Sequence, residues 1–198
     1  MALKFQYNKT FQQQLNKGLK VRENALPTLI AKESALRTEV KKAKEQVTKI
    51  GQELKKQYEK QKNTYRFWSE LPQELITVSD VNISIKKIAG VKTPVLNNVE
   101  FEVKRYSVFS QAPWIPSGVE ILKQLATLKI SMELAKKKVE ILEFARKKTT
   151  QKVNLYEKVQ IPEYKEAIRK IKRFLEDEEN LSKSSQKILK SKLAGAEA

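Results

Sequence analysis

Apolar residues recur along the first third of the chain at the spacing of a coiled coil. With Leu15 as a d position and alternating steps of 4 and 3, the a positions fall on Leu19, Leu26, Glu33, Val40, Val47 and Leu54. The d positions fall on Leu15, Arg22, Leu29, Leu36, Ala43 and Ile50. Only Glu33 and Arg22 interrupt the seam, and the flanking positions are Lys, Gln and Glu. A seam sustained over about five heptads predicts a coiled-coil helix. Residues 5–67 are expected to form it, with a length of roughly 90–100 Å at about 1.5 Å per residue. Pro27 lies inside the pattern and lacks a backbone donor, so a kink or a fresh helix start is expected there.

The middle of the chain changes period. Val81, Ile83 and Ile85 alternate with Asn82, Ser84 and Lys86, and Val99, Phe101 and Val103 alternate with Glu100, Glu102 and Lys104. A period of two predicts a pair of strands. Ala89, Gly90, Val91 and Pro94 punctuate a loop between them. Four of the six prolines lie in residues 71–118. The expected object is a small β-hairpin cap at the closed end of a helical hairpin.

A second helical pattern follows. Ser117 stands three residues before Glu120, the spacing of a capping box in front of an apolar-periodic run. Heptad steps then place Ile121, Leu128, Ala135, Leu142, Thr149 and Tyr156 at d, and Leu125, Met132, Val139, Arg146 and Val153 at a. After Gln160 the phase slips by one residue, and Ile161, Tyr164, Ile168, Ile171 and Leu175 carry the stripe on. Pro162 coincides with the slip, which predicts a local change of supercoil. From about Ser182 the pattern weakens and the end is expected to fray.

Two seams of matching length joined by a short cap must run antiparallel, each burying its apolar ridge against the other. The expected fold is therefore all-α in the main, a long antiparallel two-helix coiled coil. Residues 1–70 form the first arm, 71–118 the cap and 119–198 the second arm.

Composition narrows the function. Charged residues make up 32% of the 198-residue chain, with five Gly and no Cys or His, so thiol and imidazole chemistry are excluded. The longest uncharged run, residues 106–119, is broken by Pro113 and Pro116 and cannot span a membrane. The opening Met-Ala-Leu-Lys-Phe-Gln lacks the apolar core of a secretory signal. The chain is expected to be soluble and intracellular. Its charge of +17 divides into +10 over residues 1–66, zero over 67–118 and +7 over 119–198. Basic arms imply an acidic partner.

No catalytic, cofactor or metal constellation is present. Glu176, Asp177, Glu178 and Glu179 point around a helix and read as a solvated acidic face rather than a cation site. Lys41-Lys42, Lys55-Lys56, Lys136-Lys137-Lys138 and Lys147-Lys148 could form a phosphate track. They fall largely outside the seam, where coiled coils carry charge, and no aromatic groups are interleaved to stack bases. Tyr65, Phe67, Trp68, Phe109 and Trp114 gather where arms meet cap, and read as a small core pinning the closed end in preference to a docking surface. Glu33 and Arg146, one on each seam, would either pair across the coil or mark a stretch where the helices splay.

Three stretches resemble the D-subunit family, the central rotor shaft of V/A-type rotary ATPases. One is Leu29-Ile30-Ala31-Lys32-Glu33-Ser34-Ala35-Leu36-Arg37-Thr38-Glu39. A second is Ala89-Gly90-Val91 with Pro94. The third is Val153-Asn154 with Glu157, then Ile161-Pro162, Ile168, Ile171 and Leu175-Glu176. They occur in family order over nearly the whole chain, while residues 99–118 match no family pattern.

The resemblance implies a chain without catalytic residues or cofactor. Its arm ends would enter a catalytic head of A and B subunits. The F subunit would bind beside it, and the C subunit, a socket (called d in eukaryotes), would join it to the membrane ring. It would be cytoplasmic and peripheral to the membrane, with no span of its own and no nucleic acid partner. The alternatives that the residues leave open are a basic coiled-coil arm gripping nucleic acid and a generic export or cytoskeletal stalk.

Overall fold

The computed structural model describes residues 6–62, 65–68, 71, 75–105 and 112–196. Phe109, Pro72, the side chain of Tyr65 and much of the uncharged run 106–119 lie outside the described residues. In order, the elements are α1 (Lys9–Gln61), a short α2 (Tyr65–Trp68), β1 (Ile76–Ile88), β2 (Val91–Val103), α3 (Ile115–Asn154), a π-helical turn (Leu155–Gln160) and α4 (Ile161–Ala196). The fold is mainly helical with one two-stranded antiparallel sheet. The chain divides into two compact units: residues 1–32 with 149–198, and residues 33–148.

The first unit pairs the start of α1 with the π turn and α4. Asn8 caps α1, its side-chain oxygen accepting from the Phe11 backbone N–H at 2.7 Å. Leu15, Ala167 and Ile171 are buried together, with Phe11, Tyr164, Ile168 and Leu175 packed around them. Glu23 meets Lys165 at 2.8 Å and Arg22 meets Gln160 at 2.7 Å, while the Tyr7 and Phe174 rings meet at a tilt with centroids 4.8 Å apart. Partners thus descend along α4 as they ascend along α1, so the pair is antiparallel. Pro27 does not start a new helix, because α1 runs through it without a break. Helix α4 continues through Ser182 to Ala196. Residues 176–192 are exposed throughout, so this last stretch is helical without a core contact.

The second unit holds the rest of α1, the hairpin and most of α3. Leu36, Val40 and Ala43 are buried with Leu142, while Lys44 binds Glu143 at 2.6 Å. Leu54 is buried as well, and further along it lines one groove with Leu122 and Leu125. This pair is again antiparallel.

Each strand has 13 residues, longer than the alternation predicts, and the loop between them shrinks to Ala89 and Gly90. Both turn residues have positive φ, 48° and 79°, the backbone of a two-residue hairpin turn whose twist matches the strands. Pro94 sits within β2 opposite Ile85. In a two-stranded sheet every strand is an edge, so a missing N–H can face outward there.

The hairpin starts at the closed end and lies back along the helices. Its base packs beside Leu75, Ile115 and Val119, with Ile76 and Val103 around them. Its tip, Ala89 and Val91, packs on the Leu36–Leu142 cluster. The lengths are compatible. A 13-residue strand at about 3.3 Å per residue reaches somewhat farther than α3 does from Val119 to Leu142 at about 1.5 Å per residue. Helix α3 begins at Ile115, two residues before the expected cap, so Ser117 lies inside the first turn. The Gly118 N–H already donates to the Trp114 carbonyl at 2.9 Å.

Candidate functional site in the paired helices

In the first unit the seam-breaking Arg22 is held by several groups. Its Nε donates to the Gln160 side-chain oxygen at 2.7 Å, and its Nη1 donates to the Gly18 carbonyl at 2.9 Å. The guanidinium lies over the Tyr164 ring, 4.4 Å from its centroid. A half-buried cation at a d position is tolerable because two of its donors are hydrogen-bonded and its face is covered by the Tyr164 ring. The Arg22–Gln160–Tyr164 arrangement is not legible in the heptad pattern, which marks Arg22 only as a defect.

The π turn explains the one-residue phase slip. The Ile161 N–H donates to the Tyr156 carbonyl, five residues back, so one extra residue is absorbed within the helix. The residues after it return to the seam: Ile161, Ala167 and Ile171 are buried. Pro162 follows directly, where a wider turn relieves the clash of its ring with the carbonyl four residues back. Asn154 ends α3 and Glu157 lies in the turn, so the family-like residues Val153, Asn154, Glu157, Ile161 and Pro162 bracket the irregularity. Leu155 and Val159 are exposed, at 44% and 39%. Of the seam positions in this unit, Leu26, Leu29 and Val153 are half-buried.

In the second unit Leu36, Val40, Leu54 and Leu142 are buried, and Val47, Ile50, Leu125, Leu128, Met132 and Val139 are half-buried. The family-like residues Ala89, Gly90, Val91 and Pro94 form the hairpin turn and the start of β2. Glu33 and Arg146 are both half-buried. At the closed end Trp114 stacks edge-on to Trp68 at 5.7 Å and meets Phe67 at 5.9 Å. A Cβ on Gly118 would stand 2.6 Å from the Trp114 ring, so glycine is what lets the indole lie against the helix. The outer face of the hairpin leaves Val78, Ile83 and Ile85 exposed.

The ionisable groups are those of a solvated helical surface. Glu143, Glu166 and Glu179 are held below the usual carboxylate range, chiefly by hydrogen bonds from Lys44, Lys170 and Lys183 respectively. In the acidic run, Glu176 and Glu179 pair with lysines one helical turn away. Among the described residues no cluster of acidic side chains is arranged to hold a metal ion. Among them, too, no helix is long and apolar enough to cross a membrane.

Two antiparallel helical pairs, each zipped by an apolar seam and charged outside it, define a protein of the coiled-coil class, with one β-hairpin laid against the second pair. A family model for the ATP synthase D subunit matches residues 12–191, and the chain belongs to that family. Relatives named as the D subunit of V-type ATP synthase are similar over most of their length. That of Borreliella burgdorferi is 33% identical over 177 residues, covering 88% of each chain. That of Chlamydia pneumoniae is 26% identical, over 85% of this chain and 83% of its own. That of Chlamydia abortus is 29% identical, over 86% and 85%.

Proposed function

We propose that this chain is the central rotor shaft of a V/A-type rotary ATPase. It couples ATP synthesis or hydrolysis in the catalytic head to ion movement across the membrane. The observation that carries this reading is the family match over residues 12–191, which takes in both antiparallel helical pairs and the hairpin. The A and B subunits of the head are its partners at the arm ends. The F subunit binds beside it, and the socket-forming C subunit joins it to the membrane ring. It acts as a peripheral component on the cytoplasmic side and supplies no catalytic group.

A shaft works by being asymmetric inside a ring of near-equivalent sites. Each catalytic site meets a different face, so its open and closed states are stabilised unequally, and rotation passes that bias from site to site. The seams keep the two helices of each pair in fixed register. A firm register lets a turning force at one end be felt at the other.

Reconstitution of the catalytic head with and without this chain tests the proposal, with ATP turnover and single-particle rotation as readouts. Rotation that requires the chain is expected. Equal turnover without it, and no stoichiometric chain in the purified head, would refute the reading.

A further inference from the structure

One position beyond the seam of α1, a second row runs through the residue 33–148 unit. It steps by 4 and 3 from Arg37 to Lys62, the spacing of a helix facing a helix. Every member lines one of two open grooves. Arg37, Lys41, Lys44 and Thr48 line the first, about 370 Å³, with Arg146 contributed by α3. Gly51, Lys55, Tyr58 and Lys62 line the second, about 750 Å³, whose apolar wall includes Leu54 and Leu125.

The row carries five cations and no acid. Lys44 is bound to Glu143, whereas Arg37, Lys41, Lys55 and Lys62 make no ion pair among the described residues. Glu45 and Glu59 are the acids that line the grooves beside them. At Gly51 a Cβ would find nothing within 4 Å, so the row is open in its middle. An exposed stripe of this sign favours an acidic counterpart, and its heptad spacing favours a helix. The groove at one end, where Leu54, Leu71, Leu122 and Leu125 stand beside Lys55 and Lys62, suits Leu-like anchors better than a phosphate backbone.

We propose that this face receives an acidic amphipathic helix of a partner protein, lying along α1 as a third helix of the coil. Its acids would meet the Arg37–Lys44 half and its apolar anchors the Leu54–Tyr58 half. From Arg37 to Lys62 the row covers about 38 Å of α1, which sets the partner helix at roughly 25 residues. The surface belongs to one unit alone, and the inference stands whether or not the chain couples rotation.

The chain has no cysteine, so Thr48→Cys gives a unique site for a photo-crosslinker on the full-length protein. The probe is a synthetic helical peptide of about 25 residues with Leu at a and d and Glu at e and g. Binding read by fluorescence anisotropy and a crosslink from position 48 are expected. Lys41→Glu with Lys55→Glu is expected to weaken binding by about tenfold or more, while Lys136→Glu with Lys137→Glu, off the row, changes it little. If the reversed pair loses helicity by circular dichroism, Lys41→Gln with Lys55→Gln takes its place, with a loss of about threefold expected. Three results overturn the proposal: no binding, equal affinity for the row variant and the off-row control, or a nucleic-acid duplex of similar length displacing the peptide.

Discussion

Gly18 on α1 faces Tyr164 on α4 so closely that a Cβ at Gly18 would stand 2.9 Å from the ring carbon Cε1. The ring cannot easily retreat, because the Arg22 guanidinium lies over it. Alanine in a helix interior normally gains about 0.5–1 kcal/mol over glycine. Overpacking costs about 1–3 kcal/mol. The second effect wins here, so Gly18→Ala is expected to be mildly destabilising and Gly18→Val clearly so. Gly51→Ala, with open space around it, is expected to stabilise by up to about 1 kcal/mol. Urea unfolding of the three variants decides it, and a stabilised Gly18→Val would show the contact to be soft.

The π turn makes a stronger prediction about deletions. The extra residue that it absorbs matches the one-residue slip in the apolar stripe. Deleting exposed Lys158 should therefore turn the segment into ordinary α-helix and leave Ile161, Ala167 and Ile171 facing α1. A deletion of Lys136 within α3 has no irregularity to absorb it and rotates later seam residues off the interface by about 100°, one residue of helix. Circular dichroism melts should show the first variant near wild type and the second severely destabilised. Equal losses in both would mean that the π turn does not set the phase.

Ala89 holds a positive φ of 48° while its methyl packs on the Leu36–Leu142 cluster. The left-handed backbone costs a non-glycine residue about 1–2 kcal/mol, and burying one methyl returns about 0.8. Ala89→Gly should change stability by less than about 1 kcal/mol, because the two effects oppose. Ala89→Val adds β-branching to the strain and should cost about 2 kcal/mol or more. Chemical denaturation measures both, and a valine variant as stable as wild type would contradict the turn geometry.

The acid side of the stability profile follows from Glu143. Its carboxyl is held low by the hydrogen bond from Lys44, so the folded chain binds a proton less readily than the unfolded one. That contribution is complete above the unfolded value and fades as pH falls through the depressed folded value. The pair is half exposed, which limits its worth to under about 1 kcal/mol. Glu143→Gln should lower stability slightly at pH 7, and the difference from wild type should vanish in strong acid. A difference that persists there would assign the effect to packing.

The helical arms are legible in the sequence because a coiled-coil seam is a local, repeated pattern. A ridge of Leu, Ile and Val at 4 and 3 spacing has few other ways to leave water. The phase slip at Gln160 is legible for the same reason, though its form is not. A skipped residue can be met by changed supercoil or by a π turn, and only the backbone chooses between them. The strands are recognisable where they alternate, at 81–85 and 99–103. Their full length is hidden because residues 76–80 and 91–98 break alternation around two register shifts. Pro94 argues for a loop as long as the number of strands beside it is unknown.

By itself the sequence determined which residues form helices, which ridge each helix buries and where the charge must lie, since these follow from periodicity and solvation along one chain. Tertiary structure alone decided that the hairpin lies back along the helices and that Arg22 is satisfied by Gln160 and Tyr164. It alone decided that glycine is required opposite Tyr164 and Trp114. Those outcomes depend on distances between residues far apart in sequence. A pattern of apolar and polar positions records which face turns inward, but not what stands opposite it.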